Sequence, residues 1–300
     1  MTNITLLDGS IGQELVKRDN GPPTNLWSTS VMMEKPELVR GVHDDYFAAG
    51  ASVATSNTYA VHLNRLERAG IANKQGELMD IGVTQAVAAR DAHGAGRVAG
   101  AMGPLLATYR PDLQPDVGVA KDQFAQHILL LGDRIDFLLA ETVCSLQEAE
   151  GIFQGYEASG TDKPLWMAFS VDDQDGTKLR SGEPLFVVTE MLNHYKPAAV
   201  LLNCSMPEAI TQGLPMLTDC GLPFGGYANG FTMITDDFKK DAPTVDALSA
   251  RTDLTPDTYA DHVMNWVGAG ATIVGGCCEV GPDHIAEIAR RLRDAGHTIV

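Results

Sequence analysis

Two short stretches carry thiols where a folded chain could gather them: Gly275-Gly276-Cys277-Cys278 near the C-terminus, and Leu201-Leu202-Asn203-Cys204-Ser205 upstream. Each follows an apolar run that reads as a buried strand. Thiolate sulfur is a soft ligand suited to zinc. Three thiolates leave the fourth corner of a tetrahedral site open, the arrangement of a catalytic rather than a structural centre. The chemistry would be to bind and activate one more ligand, such as a substrate thiol. Spacing is a weak signal, because Cys204 and Cys277 are separated by 73 residues. Neighbouring residues of a regular strand also face opposite sides, so Cys277 and Cys278 can share a metal only where the strand has already turned. Gly275 and Gly276 make that turn feasible. The pattern by itself leaves a metal centre and buried, inert thiols both open.

Two carboxylates stand out in the same way. Asp8 follows Leu6-Leu7 and precedes Gly9, and Glu141 ends the run Phe137-Leu138-Leu139-Ala140. Asp8 reads either as a turn or cap residue or as a carboxylate that holds an ammonium. A charged Glu141 at the end of an apolar run needs a partner if it is buried. A glycosidase-type carboxylate pair is the alternative, but aromatic residues make up only 6% of the chain and no aromatic-lined groove is evident. The histidines form no motif: His43, His62, His93, His127 and His194 fall on expected helices or their ends and read as surface or satisfied core residues. Cys144 and Cys220 read as ordinary small apolar residues.

The elements that must position these groups alternate. Strands are expected at Ile4 to Leu7, Ser52 to Thr55, Arg97 to Ala101, Ile135 to Ala140, Leu165 to Phe169, Ala198 to Leu202, Pro223 to Tyr227 and Ala271 to Val274. Helical patterns fall between them, at Pro36 to Ala49, Gly76 to Ala92, Lys121 to Asp133, Leu146 to Ala158, Leu185 to His194, Pro207 to Thr218 and Pro256 to Ala269, with a last helix from Pro282 to Ala295. Eight such units predict an α/β fold, a (β/α)8 TIM barrel spanning residues 1–300 as a single domain. An open doubly wound sheet is the alternative, and the lack of G-x-G-x-x-G after the first strand counts against it. The reactive residues sit at strand ends, which a barrel brings to one face. Irregular segments at Asp19 to Ser30, Thr108 to Gly118, Asp172 to Glu183 and Gly230 to Thr255 could form a rim over that face.

Composition narrows the class. A formal net charge of −17 disfavours nucleic acid and anionic membranes as partners. No run approaches the length of a membrane span, and the first residues carry no signal-peptide pattern. A cytoplasmic protein acting on small molecules is expected, with a homo-oligomer left open. Adjacent cysteines rarely form a relaxed disulfide, and in a reducing compartment cysteines point to metal or catalysis.

The residues resemble the homocysteine S-methyltransferases. The resemblance runs through Leu6-Leu7-Asp8-Gly9-Ser10, Leu26-Trp27-Ser28, Ser56-Asn57-Thr58-Tyr59, Gly103-Pro104-Leu105, Ala140-Glu141-Thr142, Leu179-Arg180-Ser181-Gly182, Asn203-Cys204-Ser205, Tyr227-Ala228-Asn229 and Gly275-Gly276-Cys277-Cys278. It implies a zinc-dependent (β/α)8 barrel, with Zn2+ held by Cys204, Cys277 and Cys278. It further implies that Asp8 and Glu141 receive the amino group of homocysteine, that the backbone at Gly9 and Ser10 holds its carboxylate, and that Asn57 and Tyr59 line the site. The implied reaction takes a methyl group from a sulfonium or quaternary ammonium donor to the homocysteine thiol, giving methionine. Leu26-Trp27-Ser28 resembles the branch that uses S-methylmethionine. Another thiol or selenol acceptor, or a thiol-binding barrel without catalysis, is the alternative. Two stretches depart from the common family pattern: Ser10-Ile11-Gly12-Gln13-Glu14-Leu15 replaces a more Gly- and Thr-rich first helix, and Glu279-Val280 follows the cysteine pair where small or variable residues are usual.

Overall fold

The computed structural model describes residues 1–19, 26–232, 234 and 249–300. The expected rim segments Asp19 to Ser30 and Gly230 to Thr255 therefore lie in part outside the described residues. Eight parallel strands alternate with helices: β1 (Asn3–Leu6), β2 (Val53–Thr55), β3 (Arg97–Met102), β4 (Phe137–Val143), β5 (Leu165–Phe169), β6 (Ala199–Asn203), β7 (Phe224–Ala228) and β8 (Ile273–Gly276). They pair in the order β2-β3-β4-β5-β6-β7-β8-β1. The ring closes between β1 and β2 by a short seam. Ser52 donates its N–H to Leu6 O over 2.7 Å, and its hydroxyl accepts from Leu6 N at 3.1 Å. This is the expected α/β barrel.

Strand alternation divides the core. Leu7, Val53, Ala99, Phe137, Leu139, Trp166, Ala168, Ala199, Leu201, Tyr227 and Ile273 fill the barrel interior. Their strand neighbours, such as Leu138, Ala140, Met167, Val200 and Leu202, pack outward in the larger cluster with the helices. Arg97 lies over the rings of Phe137 and Trp166, 5.5 and 5.4 Å from their centroids. It donates to Thr5 Oγ1 at 2.8 Å, so this half-buried cation has an aromatic and a polar partner.

The helices are α1 (Ile11–Asp19), α2 (Ser28–Glu34), α3 (Pro36–Ala49), α4 (Leu63–Arg68), α5 (Gln75–His93), α6 (Val117–Leu131), α7 (Leu146–Ser159), α8 (Val188–Tyr195), α9 (Pro207–Gly213), α10 (Pro256–Gly268) and α11 (Pro282–Asp294). Local chemistry sets many of their ends. Ser145 Oγ accepts from Glu148 N at the start of α7, and Gly50, Gly94 and Gly160 end α3, α5 and α7 in the left-handed conformation. The single helix expected over Pro207 to Thr218 is instead α9 followed by a 3-10 turn, Leu214–Cys220. Pro215 has no N–H to continue the α-helical ladder. The short α2 and α4 were not expected. Neither was a ninth strand, β9 (Thr298–Ile299), which runs parallel to β1 by pairing with Asn3 and Ile4. A two-residue strand carries no periodic signal.

The approach of β7 to β8 is close. A Cβ on Gly225 would lie 1.7 Å from Ile273 O. Gly225→Ala is expected to destabilise the barrel by about 3 kcal/mol or more, since overpacking here meets backbone rather than a movable side chain. A urea unfolding midpoint unchanged from the parent would show that β7 and β8 can separate without cost.

Candidate metal and substrate site

Both cysteine-bearing strands stop just before their thiols. β6 ends at Asn203, and Cys204 takes a left-handed backbone with φ 48°. β8 ends at Gly276, and the chain reverses in a β-turn closed by Val280 N donating to Cys277 O at 3.1 Å. Cys278 and Glu279 are its central residues, with Glu279 at φ 63°. That turn lets adjacent cysteines share one centre, which a continuing strand would forbid. The sulfurs of Cys204, Cys277 and Cys278 all lie within 4.8 Å of one another. Cys204 and Cys277 approach to disulfide pairing with Cα atoms 5.8 Å apart, and Cys278 is a free thiol. In the reduced state the three converge as a soft donor set that could hold a metal ion. Burial pushes the Cys278 thiol up to about 12, with Glu279 and Glu141 adding to the shift. A bound cation is what would reverse this and make the thiol a ligand. Cys144 lies buried beside the triad but donates to Thr142 O at 3.1 Å, and Cys220 is buried in its 3-10 turn. Both stay apolar residues, as expected.

A buried ion pair holds Cys204 in its reversed backbone. Arg180 donates from Nη2 to Cys204 O at 3.0 Å and from Nε to Ser170 Oγ at 2.7 Å. Its guanidinium is bidentate to Asp173, at 3.2 and 3.0 Å, and lies 4.6 Å from the Tyr109 ring centroid. Asp173 Oδ1 in turn accepts from Met206 N at 3.0 Å. The pair thus grips the chain on both sides of Cys204–Ser205. With side chains only 8% and 6% exposed, it can hold this geometry without competition from water. The sequence contained Arg180 in a resembling motif but no signal of this role, which depends on a loop folding back after β5.

The carboxylates face the same mouth. Asp8 accepts from Thr55 N at 2.6 Å and from Thr55 Oγ1 at 2.7 Å, so it extends the β1–β2 seam. Burial nonetheless lifts its carboxyl to about 7, against the lowering by Thr55. Glu141 lies inside β4, one residue later than the expected strand end, at a register shift between Ala140 and Val143. That bulge turns its side chain toward the mouth. Asn203 braces the bulge, its Oδ1 accepting from Thr142 N at 3.0 Å while Thr142 sits at φ 61°. Tyr227 donates its hydroxyl to Glu141 Oε1 at 3.0 Å. Burial raises Glu141 to about 8, and the charge of Asp8 adds to the rise. Neither carboxyl has a cationic partner among the described residues, so the pair is poised for one from a ligand.

The remaining expected residues are less free. Ser10 donates its N–H to Val280 O at 3.0 Å and its hydroxyl to Gln13 Oε1 at 3.0 Å, so both its donors already have partners. A Cβ on Gly9 would lie 2.1 Å from Val280 O, which explains the glycine after Asp8. Asn57 Oδ1 accepts from Ser28 Oγ at 3.0 Å, tying the end of β2 to α2. Tyr59 shares a hydrogen bond with Thr108 at 3.1 Å, and its hydroxyl feels the charge of Glu141. His43, His62 and His127 are buried core residues, as expected of a core reading. His127 Nε2 lies 3.4 Å from Ala101 O, and the His62 ring faces the backbone of Tyr59 and Gly103, whereas neither ring nitrogen of His43 has a hydrogen-bond partner among the described residues.

Two expectations follow. Buried carboxyls with raised pKa keep their protons in the folded chain while the unfolded chain loses them. Their stabilisation is therefore complete below the ordinary carboxyl range and falls away as pH rises through about 7 for Asp8 and about 8 for Glu141. Denaturant midpoints of the metal-free protein should decline over that window, and Glu141→Gln should flatten the decline; an unchanged slope would count against the assignment. Arg180→Lys, which loses the planar fork, should weaken metal binding by roughly 10- to 100-fold in a chelator competition while the chain stays folded.

The comparisons agree with this geometry. The family described as homocysteine S-methyltransferase matches residues 5–292. The chain is 30% identical to the homocysteine S-methyltransferase of Escherichia coli (strain K12), over 96% of this chain and 95% of the relative. It is 26% identical to the selenocysteine methyltransferase of Astragalus bisulcatus, over 96% of this chain and 92% of the relative. The crystal structure of the metallated homocysteine methyltransferase MmuM from Escherichia coli aligns with a TM-score of 0.81 at 28% identity, covering 97% of this chain and 96% of that one. With the match running from β1 into α11, and the thiols and carboxyls gathered at one mouth, the chain belongs to the homocysteine S-methyltransferase family.

Proposed function

We propose that this enzyme transfers a methyl group from a sulfonium donor, S-methylmethionine first among them, to the thiol of L-homocysteine on a zinc centre, giving methionine. The observation that carries the reading is the convergence of Cys204, Cys277 and Cys278, with sulfurs within 4.8 Å, at the mouth where Asp8 and Glu141 are buried without a cation. The three thiolates would hold zinc, which when bound lowers the pKa of an acceptor thiol at the fourth position. Every other task falls to the chain.

Asp8 and Glu141 would take the acceptor ammonium. Their raised pKa values mean that binding it releases protons from the carboxyls, because an adjacent cation favours the ionised forms. Tyr227, donating to Glu141, holds that carboxyl in place. With both Ser10 donors engaged, the acceptor carboxylate is left to the Gly9 N–H and the first-turn N–H groups of α1, which have no intrahelical partners. Asp8 has both oxygens on Thr55, which suits a fixed counter-charge better than a hydrolytic nucleophile. A selenol acceptor is a second reading, favoured by the likeness to a selenocysteine methyltransferase. The thiol chemistry requires reduced cysteines, in keeping with a cytoplasmic setting.

The test is methionine formation, read by mass spectrometry, by the reduced, zinc-loaded protein with homocysteine and each of S-methylmethionine, S-adenosylmethionine, dimethylsulfoniopropionate and betaine. Methionine from S-methylmethionine, lost in Cys277→Ala and on chelation and recovered with zinc, is the expected result. No methionine from any donor despite bound zinc would overturn homocysteine as acceptor. Selenocysteine offered in competition separates the two acceptors.

A further inference from the structure

The two places where this chain departs from the common pattern touch each other. Gln13, on α1, donates from Nε2 to Glu279 Oε1 at 2.6 Å. Its Oε1 accepts from Glu279 N at 2.6 Å and from Ser10 Oγ at 3.0 Å. Lys17, one turn further along α1, reaches Glu279 Oε2 at 3.1 Å. Gln13 is only 4% exposed, so the contact is an interior one.

Glu279 occupies the third position of the Cys277–Val280 turn at φ 63°, a backbone conformation that favours glycine. An L side chain held there needs a compensating attachment. The two-point bond to Gln13 supplies it. The Glu279 N–H also belongs to the peptide unit that joins Cys278 to Glu279. The carbonyl of that unit, Cys278 O, accepts from Gly230 N at 2.7 Å. One peptide plane is thus gripped at both ends, by Gly230 on the carbonyl and by Gln13 on the N–H. This restrains ψ of Cys278 and φ of Glu279, the dihedrals on either side of that plane, and so limits the directions the Cys278 side chain can take.

We propose that Gln13 and Glu279 are positioning residues for Cys278, a clamp from α1 that presents this sulfur to the other two and joins its placement to Ser10 at the substrate mouth. The clamp keeps the Glu279 carboxylate on Gln13 and Lys17, outside the three-sulfur group. The inference rests on the metal centre and not on the identity of donor or acceptor, so it is tested on metal binding alone and stands apart from the methyl-transfer assay.

The experiment measures zinc affinity of the reduced full chain by competition with a chromophoric chelator. It adds the visible spectrum of the cobalt(II)-substituted protein and the melting temperature of the metal-free form. Gln13→Ala removes both bonds and should weaken zinc about 10- to 100-fold, with a loss of intensity in the tetrahedral cobalt bands. Glu279→Gly relaxes the left-handed position and keeps the N–H bond, so it should fall between parent and Gln13→Ala. Lys17→Ala, at the solvent edge, should stay within about twofold of the parent. Gln13→Glu alone sets two carboxylates against each other and should resemble Gln13→Ala. The double variant Gln13→Glu/Glu279→Gln remakes the amide–carboxylate pair with its ends exchanged and should recover the parent affinity and spectrum. Zinc affinity and cobalt spectrum unchanged in Gln13→Ala, with only the melting temperature lowered, would overturn the proposal. So would a folded double variant that binds zinc no better than Gln13→Glu. Should Gln13→Ala fail to fold, Glu279→Gly and the exchanged pair decide it.

Discussion

Two reversals of the chain in left-handed backbone hold up the whole site. Cys204 turns at φ 48° after β6, and Glu279 turns at φ 63° after β8. Strands β6 and β8 are not neighbours, since β7 lies between them. Had either strand run on, its pleat would have sent successive side chains to opposite faces and scattered the sulfurs. Such backbone is unfavourable for side chains other than glycine, and it persists where surrounding bonds over-determine it. Here those bonds are specific. Arg180 and Ser170 reach the Cys204 carbonyl, and Gln13 and Gly230 grip the peptide between Cys278 and Glu279. The strain lies at the residues whose direction matters.

Electrostatics follows from the same convergence. Thiols and carboxyls are brought into one buried mouth, where charge of a single sign is costly. Asp8, Glu141 and Cys278 respond by holding protons well above their ordinary range. Without ligands, neither Asp8 nor Glu141 has a cationic partner among the described residues. A metal among the sulfurs and an ammonium between the carboxyls would each turn that cost into binding free energy, and each would stabilise the folded chain by mass action.

Fold and site share residues, so they cannot vary independently. Asp8 continues the β1–β2 seam through Thr55 while it faces the mouth. Asn203 precedes a sulfur ligand candidate and at the same time braces the bulge that aims Glu141. Tyr227 packs in the barrel interior and donates to Glu141. A change at any of these positions would disturb the barrel and the candidate site together.

The chain's local pattern was enough to place eight strands, most of the helices, three sulfur donors and two carboxyls, because hydrophobic period, residue type and strand-end position are local properties. It also pointed to the family, through motifs such as Asn203-Cys204 and Gly275-Gly276-Cys277-Cys278. It missed β9, α2 and α4, which are too short to show a period, and the break of the Pro207 helix. It ended the fourth strand at Ala140, where β4 runs on to Val143, and so did not show that Glu141 lies on a bulge. Arg180, Asp173 and the role of Gln13 were hidden for a different reason: each acts on a segment remote in sequence, and only the closed barrel brings them together. Residue type decided which atoms could do chemistry here. The tertiary structure decided whether those atoms meet, because the side chain of a cysteine points where its backbone dihedrals send it, and in this chain those dihedrals are held by hydrogen bonds from distant loops and helices.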